Sequence, residues 1–197
     1  MLNLPIQKTH ILGPLCIVVL CTLLYFFEPT SSQWLAFDRS QLAKHQWWRL
    51  LTANFLHTNL NHLLLNLAGL LLLWALHGEY YRSKQYLLLF AFCALGSSIG
   101  VYFFAPRLDW YVGLSGALHG VFLWGAFKDI QYQRRSGWLL IIAVWVKIIH
   151  EHYAGASAEI ADLINASVAI EAHLYGALSG MLLIGYIVVL GHKKATV

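Results

Sequence analysis

The chain has 197 residues, of which 59% are hydrophobic and only 11% charged, and its mean hydropathy is +0.61. A soluble domain carries about 25% charged residues, so this composition argues against a soluble protein and favours a membrane protein. The net charge of +4 is divided among short segments between apolar runs, which argues against a nucleic-acid partner.

The three cysteines all lie inside apolar runs and show no regular spacing. A scattered, odd-numbered and buried set of thiols predicts neither a disulfide framework nor a metal cluster. These residues, Cys16, Cys21 and Cys93, are interpreted as small core residues.

Six apolar runs are long enough to cross a bilayer, which takes roughly 20 residues. They cover residues 11–27, 60–76, 86–104, 110–127, 137–153 and 167–190. A segment in lipid must satisfy its own backbone hydrogen bonds, so all six are predicted to be helices. The stretch between the first two runs is too polar to span and is rich in tryptophan, which suits the headgroup layer. We therefore expect an all-α membrane protein, with residues 1–197 forming a single membrane domain.

The distribution of Lys and Arg residues predicts how the helices are oriented. With a cytoplasmic N-terminus, eight basic residues fall at the inner ends of the segments and five at the outer ends. This excess places both termini in the cytoplasm. The second, fourth and sixth segments then begin at the outer face, so His62, Ser115 and His173 lie in roughly the outer third of the membrane. Polar side chains at this depth face a bundle interior or water, which predicts a cavity open to the outside.

Ser115 is the candidate nucleophile, because it stands in the motif Gly113-Leu-Ser-Gly116 at the start of an apolar segment. The two glycines have a structural role, since they let backbone and substrate approach closely. The Ser115 amide, unpaired at a helix start, is suited to bind an oxyanion, as acyl transfer requires. The alternative is structural, because Gly116 and Gly120 also form a helix-packing pattern.

His173 is the candidate general base, because an imidazole within about 3 Å of the Ser115 hydroxyl can take its proton. Gly176 lies on the same helical face and allows the fourth and sixth segments to approach. We expect no carboxylate to orient this imidazole, since Glu171 points elsewhere on the helix. The sequence thus predicts a Ser–His dyad and not a triad. The alternative is a histidine that merely forms a hydrogen bond between helices.

His62 and Asn66 share one face of the second segment at i and i+4, and both can donate hydrogen bonds to an oxyanion. His57 lies about one turn further out and is interpreted as structural. A metal or haem site formed by His57, His62 and His173 is the alternative. It is disfavoured because no carboxylate or thiolate joins them, so we expect no metal.

Five short motifs occur in the order found in rhomboid intramembrane serine proteases, and the chain resembles that family over about residues 47–190. They are Trp48-Arg49, His57…His62-x-x-x-Asn66, Gly78-Glu79, Gly113-Leu-Ser-Gly116 and Ala172-His-x-x-Gly176. The resemblance implies a six-helix rhomboid-like bundle in which the serine and histidine named above are catalytic. It further implies that His62 and Asn66 bind the oxyanion and that Arg49 and Glu79 are structural. The fifth segment would correspond to the proposed substrate gate.

One position differs from many bacterial rhomboids, because His119 stands where they carry a tyrosine packed on the catalytic imidazole. At i+4 from Ser115 it can contact His173 and modulate its protonation. This residue and the compact length resemble the rhombosortase branch. That likeness implies a protease in the bacterial inner membrane, with its active site open to the periplasm. Its substrates would be membrane proteins with a C-terminal anchor and a Gly-Gly-containing sorting signal.

Two other functions remain open at this stage. One is an inactive rhomboid-like protein that binds transmembrane segments, although such a binder needs neither Ser115 nor His173. The other is a haem or metal protein of the membrane. The sequence indicates no soluble cofactor, and the lipid bilayer is the only partner besides the substrate that we expect.

Overall fold

The computed structural model of the protein describes the backbone of residues 4–195 and the side chains of residues 4–189. The α-helices are α1 (Lys8–Phe26), α2 (Thr30–Leu35), α3 (Arg39–Leu42), α4 (Arg49–Thr52), α5 (Leu60–His77), α6 (Ser83–Phe104), α7 (Ser115–Gln131), α8 (Ser136–Ala154), α9 (Ala158–Ile164) and α10 (Ile170–Ala195). Two 3₁₀ turns cover Ala53–Phe55 and Gly78–Tyr80, and two short strands, β1 (Phe37–Asp38) and β2 (Trp110–Tyr111), form an antiparallel pair.

Among the described residues, four helices are long and apolar enough to cross a membrane by themselves: α1, α5 with its following turn, α6 and α10. Helices α8 and α9 together meet the same criterion but are bent by 90° where they join. The prediction of a helical membrane protein is therefore confirmed. The large apolar side chains exposed on these helices, such as Leu72, Leu139 and Leu182, are consistent with a lipid-facing surface.

Helix α7 is the centre of the bundle, because it packs against α5, α6, α8 and α10. Its apolar side chains contribute to two buried clusters, one shared with α1, α5 and α6 and the other with α8 and α10. At 17 residues, α7 is shorter than the spanning helices around it. A helix enclosed by protein on most sides does not need the full lipid thickness.

The prediction for the fourth segment was wrong at its start, because residues 110–114 are not helical. Trp110 and Tyr111 instead form β2, which pairs with β1 of the polar stretch between α1 and α5. Tyr111 packs on Phe37 with ring centroids 4.8 Å apart, and its hydroxyl is hydrogen-bonded to that of Ser98. Apolarity alone cannot reveal this, because a buried strand and a buried helix start have similar composition.

Candidate active site

The turn before α7 fixes the position of Ser115, which is the first residue of that helix. Gly113 has φ +127°, a backbone conformation that residues with a Cβ rarely adopt. A Cβ at Gly113 would also lie 2.8 Å from His62 Nε2, so a side chain would be both strained and obstructed. The Gly113 amide donates a hydrogen bond to the Ala53 carbonyl (3.1 Å), which ties the turn to the stretch between α4 and α5.

His173, in the second turn of α10, lies directly beside this serine. The distance between His173 Nε2 and Ser115 Oγ is 2.9 Å, and the imidazole is 5% exposed. A hydroxyl can donate its hydrogen to a ring nitrogen at this distance. The structure thus brings together the two residues that the sequence analysis selected as nucleophile and base.

Glycines hold α7 and α10 in direct backbone contact below this pair. A Cβ at Gly116 would lie 2.9 Å from the Ala172 carbonyl oxygen, and one at Gly180 would lie 2.5 Å from the Gly120 carbonyl oxygen. Gly176 faces the Gly116 carbonyl even more closely. The helix-packing pattern of Gly116 and Gly120 is therefore compatible with the serine motif. Close packing of the two helices brings the histidine to the serine.

The expectation that no carboxylate orients His173 was wrong. Glu151, near the C-terminal end of α8, places Oε2 2.8 Å from His173 Nδ1. Its other oxygen, Oε1, accepts a hydrogen bond from Lys147 Nζ at 2.7 Å. The sequence analysis considered only carboxylates near His173 along the chain, whereas Glu151 is 22 residues away and on another helix.

His119 lies on the other face of the same imidazole. Its ring stacks on that of His173, with centroids 4.3 Å apart and planes inclined by 23°. His119 Nδ1 is 2.7 Å from the Ser115 carbonyl oxygen, which can only accept a hydrogen bond, so this nitrogen carries a hydrogen. Stacked rings do not exchange a hydrogen bond in their planes. His119 thus packs against the face of the His173 ring, and its Nδ1 hydrogen goes to the Ser115 carbonyl and not to His173.

The candidate oxyanion donors lie on α5, facing the serine. One hydrogen of the Asn66 amide goes to the His62 carbonyl (3.1 Å), which leaves the second for a ligand. His62 Nδ1 is 3.4 Å from the Thr58 amide and 3.1 Å from the Thr58 hydroxyl, whose own hydrogen goes to the Ile164 carbonyl. These contacts favour opposite tautomers of His62. The Asn66 amide is therefore the donor that needs no particular tautomer.

His57 is buried next to His62, with the two rings perpendicular and their centroids 5.0 Å apart. Burial, reinforced by the neighbouring His62, lowers the pKa of His57 to about 3, so this ring is neutral at pH 7. Among the side chains that the structure describes, neither of its nitrogens has a hydrogen-bond partner. It supports the site from outside and does not reach the serine.

Ser115 and His173 open into a cavity of about 580 Å³ between α5, α7, α8 and α10. The bend between α8 and α9 lines one side of this cavity. Other lining side chains include His62, Asn66, His119, Lys147, His150, Glu151 and Ser157. Helix α9 is tied to α5 by hydrogen bonds from Thr58 and Asn59 to the Ile164 and Leu163 carbonyls, at 2.6 and 3.0 Å.

Two further spaces adjoin Ser115. One is an apolar groove of about 400 Å³ between α5 and α7, which runs from Asn66 and Ser115 past Gly69 and Leu72 to Phe122. The other is a small cavity of about 60 Å³ on the opposite side, bounded in part by Gly113. The volume is about that of two water molecules in the liquid.

Arg49 and Glu79 lie away from the serine and make local contacts. The Arg49 guanidinium is buried and donates to the Gln33 and Ala36 carbonyls (2.7 and 2.8 Å) and to Gln46. Glu79 pairs with Arg134 near the opposite end of the bundle. Residues 4–189 contain no group of three or more His, Cys, Asp or Glu side chains arranged to hold a metal ion.

Residues 44–190 match the family model described as Rhomboid domain. The chain belongs to the rhomboid family. It is 31% identical to "Putative rhomboid protease YdcA" of Bacillus subtilis over 142 residues, which cover 72% of this chain and 68% of that protein. It is 27% identical to rhomboid protease GluP of the same species over 73% of this chain and 26% of GluP.

A plant protein is also similar: Rhomboid-like protein 11, chloroplastic, of Arabidopsis thaliana is 30% identical over 70% of this chain. The chain spans about half the length of that relative and about a quarter of GluP. As a rhomboid with protease relatives, the chain is a rhomboid-type serine endopeptidase, and intramembrane proteolysis is its general activity.

The sequence analysis missed the contact between Glu151 and His173. The sequence nevertheless contains a pattern that points to Glu151. Lys147 and Glu151 stand at i and i+4 near the C-terminal end of an apolar segment. Charged residues in a membrane segment usually face the bundle interior and mark a functional site. That rule identifies Glu151 as a candidate, although it does not name its partner.

Proposed function

We propose that this rhomboid cleaves transmembrane segments near their outer end, with Ser115 as nucleophile and His173 as general base. The observation that supports it most is the 2.9 Å contact between Oγ and Nε2 at the edge of a cavity within the helices. A serine hydroxyl is unreactive without a base at such a distance.

The reaction follows from the positions of these groups. His173 Nε2 takes the Ser115 proton as Oγ attacks the substrate carbonyl, and it later gives this proton to the leaving amine. The acyl-serine ester then reacts with water, which the same nitrogen deprotonates. The Ser115 amide at the start of α7, the Asn66 amide and His62 donate hydrogen bonds to the developing oxyanion.

The substrate that we propose is a membrane protein whose C-terminal anchor carries small residues at its outer end. The apolar groove between α5 and α7 ends at Ser115 and is suited to a transmembrane segment. The small cavity beside Gly113 admits a small side chain and not an indole. Glycines also weaken a helix by about 1 kcal/mol each relative to Ala, which frees the scissile bond for attack. A Gly-Gly sorting signal of the rhombosortase type meets both conditions.

We further propose a six-span arrangement in the bacterial inner membrane, with α7 as the central span and both termini in the cytoplasm. The cavity then opens toward the periplasm. The excess of basic residues at the inner ends supports this orientation. Helix α7 is short, but neighbouring helices enclose it. This enclosure supports counting α7 as a membrane span.

The test is cleavage, in proteoliposomes, of a fusion protein whose C-terminal membrane anchor begins with Gly-Gly. Wild-type protein should cut it next to the glycines, whereas Ser115→Ala and His173→Ala should not. Replacing both glycines by Trp should lower the rate by at least about tenfold, because a bulky side chain does not enter the small cavity.

A fluorophosphonate probe provides an independent readout, because it labels an activated serine without a peptide substrate. We expect labelling of the wild type and none of Ser115→Ala. Equal labelling of wild type, Ser115→Ala and His173→Ala would refute the roles of both residues. Cleavage that ignores the Trp substitutions would refute the preference for small residues.

A further inference from the structure

Glu151 holds the side of His173 that faces away from the serine. Its carboxylate accepts from Nδ1 at 2.8 Å, and its side chain is only 12% exposed. The three residues come from three different helices, with Ser115 on α7, Glu151 on α8 and His173 on α10. Serine, imidazole and carboxylate thus form one continuous line of hydrogen bonds.

A general base at Nε2 needs its lone pair on that nitrogen, so the single hydrogen of a neutral imidazole must be on Nδ1. A carboxylate is an acceptor only, and it therefore selects this tautomer of His173. It also fixes the rotation of the ring and opposes the positive charge that forms when Nε2 takes the serine proton. All three effects act through His173, because Glu151 does not reach the serine.

Lys147 determines how the carboxylate is used. It donates to Oε1 at 2.7 Å, which leaves Oε2 for His173. Other titratable side chains near the pair include His119, stacked on His173, and His62 and His150, which line the same cavity. His119 directs Nδ1 to a carbonyl and so does not compete for Glu151.

We propose that Glu151 is a positioning residue that completes a Ser115–His173–Glu151 triad, so that this rhomboid does not rely on a dyad alone. This inference rests on the proposed function, because it requires His173 to be the base. Lys147 belongs to the same arrangement, since it anchors the carboxylate oxygen that the imidazole does not use.

The decisive variant is Glu151→Gln, which keeps the shape of the side chain and removes its charge. Lys147 donates hydrogens only, so it draws the Gln oxygen toward itself and turns the Gln NH₂ toward Nδ1. That NH₂ selects the tautomer with hydrogen on Nε2, which cannot act as a base. We expect kcat to fall by about 10²-fold or more while KM changes little, as for other triads forced into the wrong tautomer.

A double variant separates this effect from simple loss of packing. In Lys147→Met/Glu151→Gln the Gln is free to turn its oxygen toward Nδ1, so kcat should recover at least tenfold relative to Glu151→Gln. A purely structural role predicts the opposite, because the second substitution removes another contact. Glu171→Gln, two residues before His173 on α10, is the matched control, and it should keep wild-type kcat.

All variants are assayed as full-length protein in proteoliposomes, with thermal unfolding in detergent as the check on folding. A folded Glu151→Gln protein with kcat within threefold of wild type overturns the triad. That result leaves the proposed function intact as long as Ser115→Ala and His173→Ala are inactive. Activity in those two variants would instead remove the proposed function itself.

Discussion

At the scale of single residues, three imidazoles lie around one serine, and each makes different contacts. His173 faces the hydroxyl, His119 stacks on it and bonds to a carbonyl, and His62 lies across the cavity on α5. What each histidine can do depends on the partner of one of its ring nitrogens and not on the residue type. Sequence motifs identify such residues, whereas the direction of each ring becomes visible only in three dimensions.

Asn66 should matter more for catalysis than the neighbouring histidine. Its second amide hydrogen is available in every protonation state, whereas His62 can donate from Nε2 only when a hydrogen is present there. We expect Asn66→Ala to lower kcat by about 10²-fold with KM nearly unchanged, because an oxyanion donor acts mainly in the transition state. Steady-state cleavage of the Gly-Gly fusion measures both constants.

Asn61→Ala provides the control, since this residue is on the same helix but exposed and bonded to the Leu163 carbonyl. It should retain nearly full activity. The role of Asn66 as a donor would be wrong if Asn66→Ala raised KM and left kcat unchanged.

At the residue scale, short motifs were enough to select the two side chains that the structure brings into contact. Ser115 is marked by its glycines, and the structure places His173 beside it. Glu151 was missed because its role depends on how α8 is rotated relative to α10, which no local pattern encodes. A carboxylate 22 residues away can face any neighbour in a bundle.

At the scale of elements, the contact between α7 and α10 sets the geometry of the site. No side chain separates the helices where Gly116 and Gly176 meet. Gly176→Ala introduces a Cβ against the Gly116 carbonyl, which forces the backbones apart. We expect a loss of about 1–3 kcal/mol in stability. Because the Ser115–His173 distance also grows, cleavage should fall by more than tenfold.

Gly185→Ala, in the same helix, is the matched substitution. A Cβ there meets nothing within 4 Å, and the position is exposed. It should leave activity unchanged and the melting temperature equal or slightly higher, since Ala favours a helix over Gly. Thermal unfolding and cleavage assays on the two variants test the contact, and equal behaviour of both would contradict it.

The helices themselves were predictable from apolarity because a spanning segment must be helical. The start of α7 was not predictable from apolarity. Gly113 ends an extended stretch whose apolar residues pair with β1, and the sequence offers no sign of that distant partner. Likewise, the 90° bend between α8 and α9 lies at Gly155, whose φ is +81°, and a single glycine in the sequence does not reveal the size of the bend.

At the scale of the whole molecule, the proposed orientation leads to a test by reporter fusion. Alkaline phosphatase inserted after Ser157, in the bend between α8 and α9, should be active because the proposed orientation places that bend in the periplasm. The same enzyme fused to the C-terminus should be inactive, whereas green fluorescent protein there should fluoresce. The reason is the eight-to-five excess of basic residues at the inner ends.

Alkaline phosphatase inserted in the turn after α7, between Gln133 and Arg135, serves as the control for the cytoplasmic side. The inserted phosphatase should be inactive. If the phosphatase were active at that turn and inactive after Ser157, the topology would be the inverse of the one proposed. Length and composition were sufficient to predict a helical protein with several membrane spans, because the bilayer constrains both directly, whereas the orientation stays a prediction until these fusions are measured.

The backbone contact between α7 and α10 has a consequence for how this protein can change. The distance between the two helices at the site is set by main-chain atoms, so it does not depend on the shapes of the side chains that face outward from the bundle. The outward-facing positions can therefore be exchanged to suit a thicker, thinner or differently charged bilayer while the chemistry stays in register.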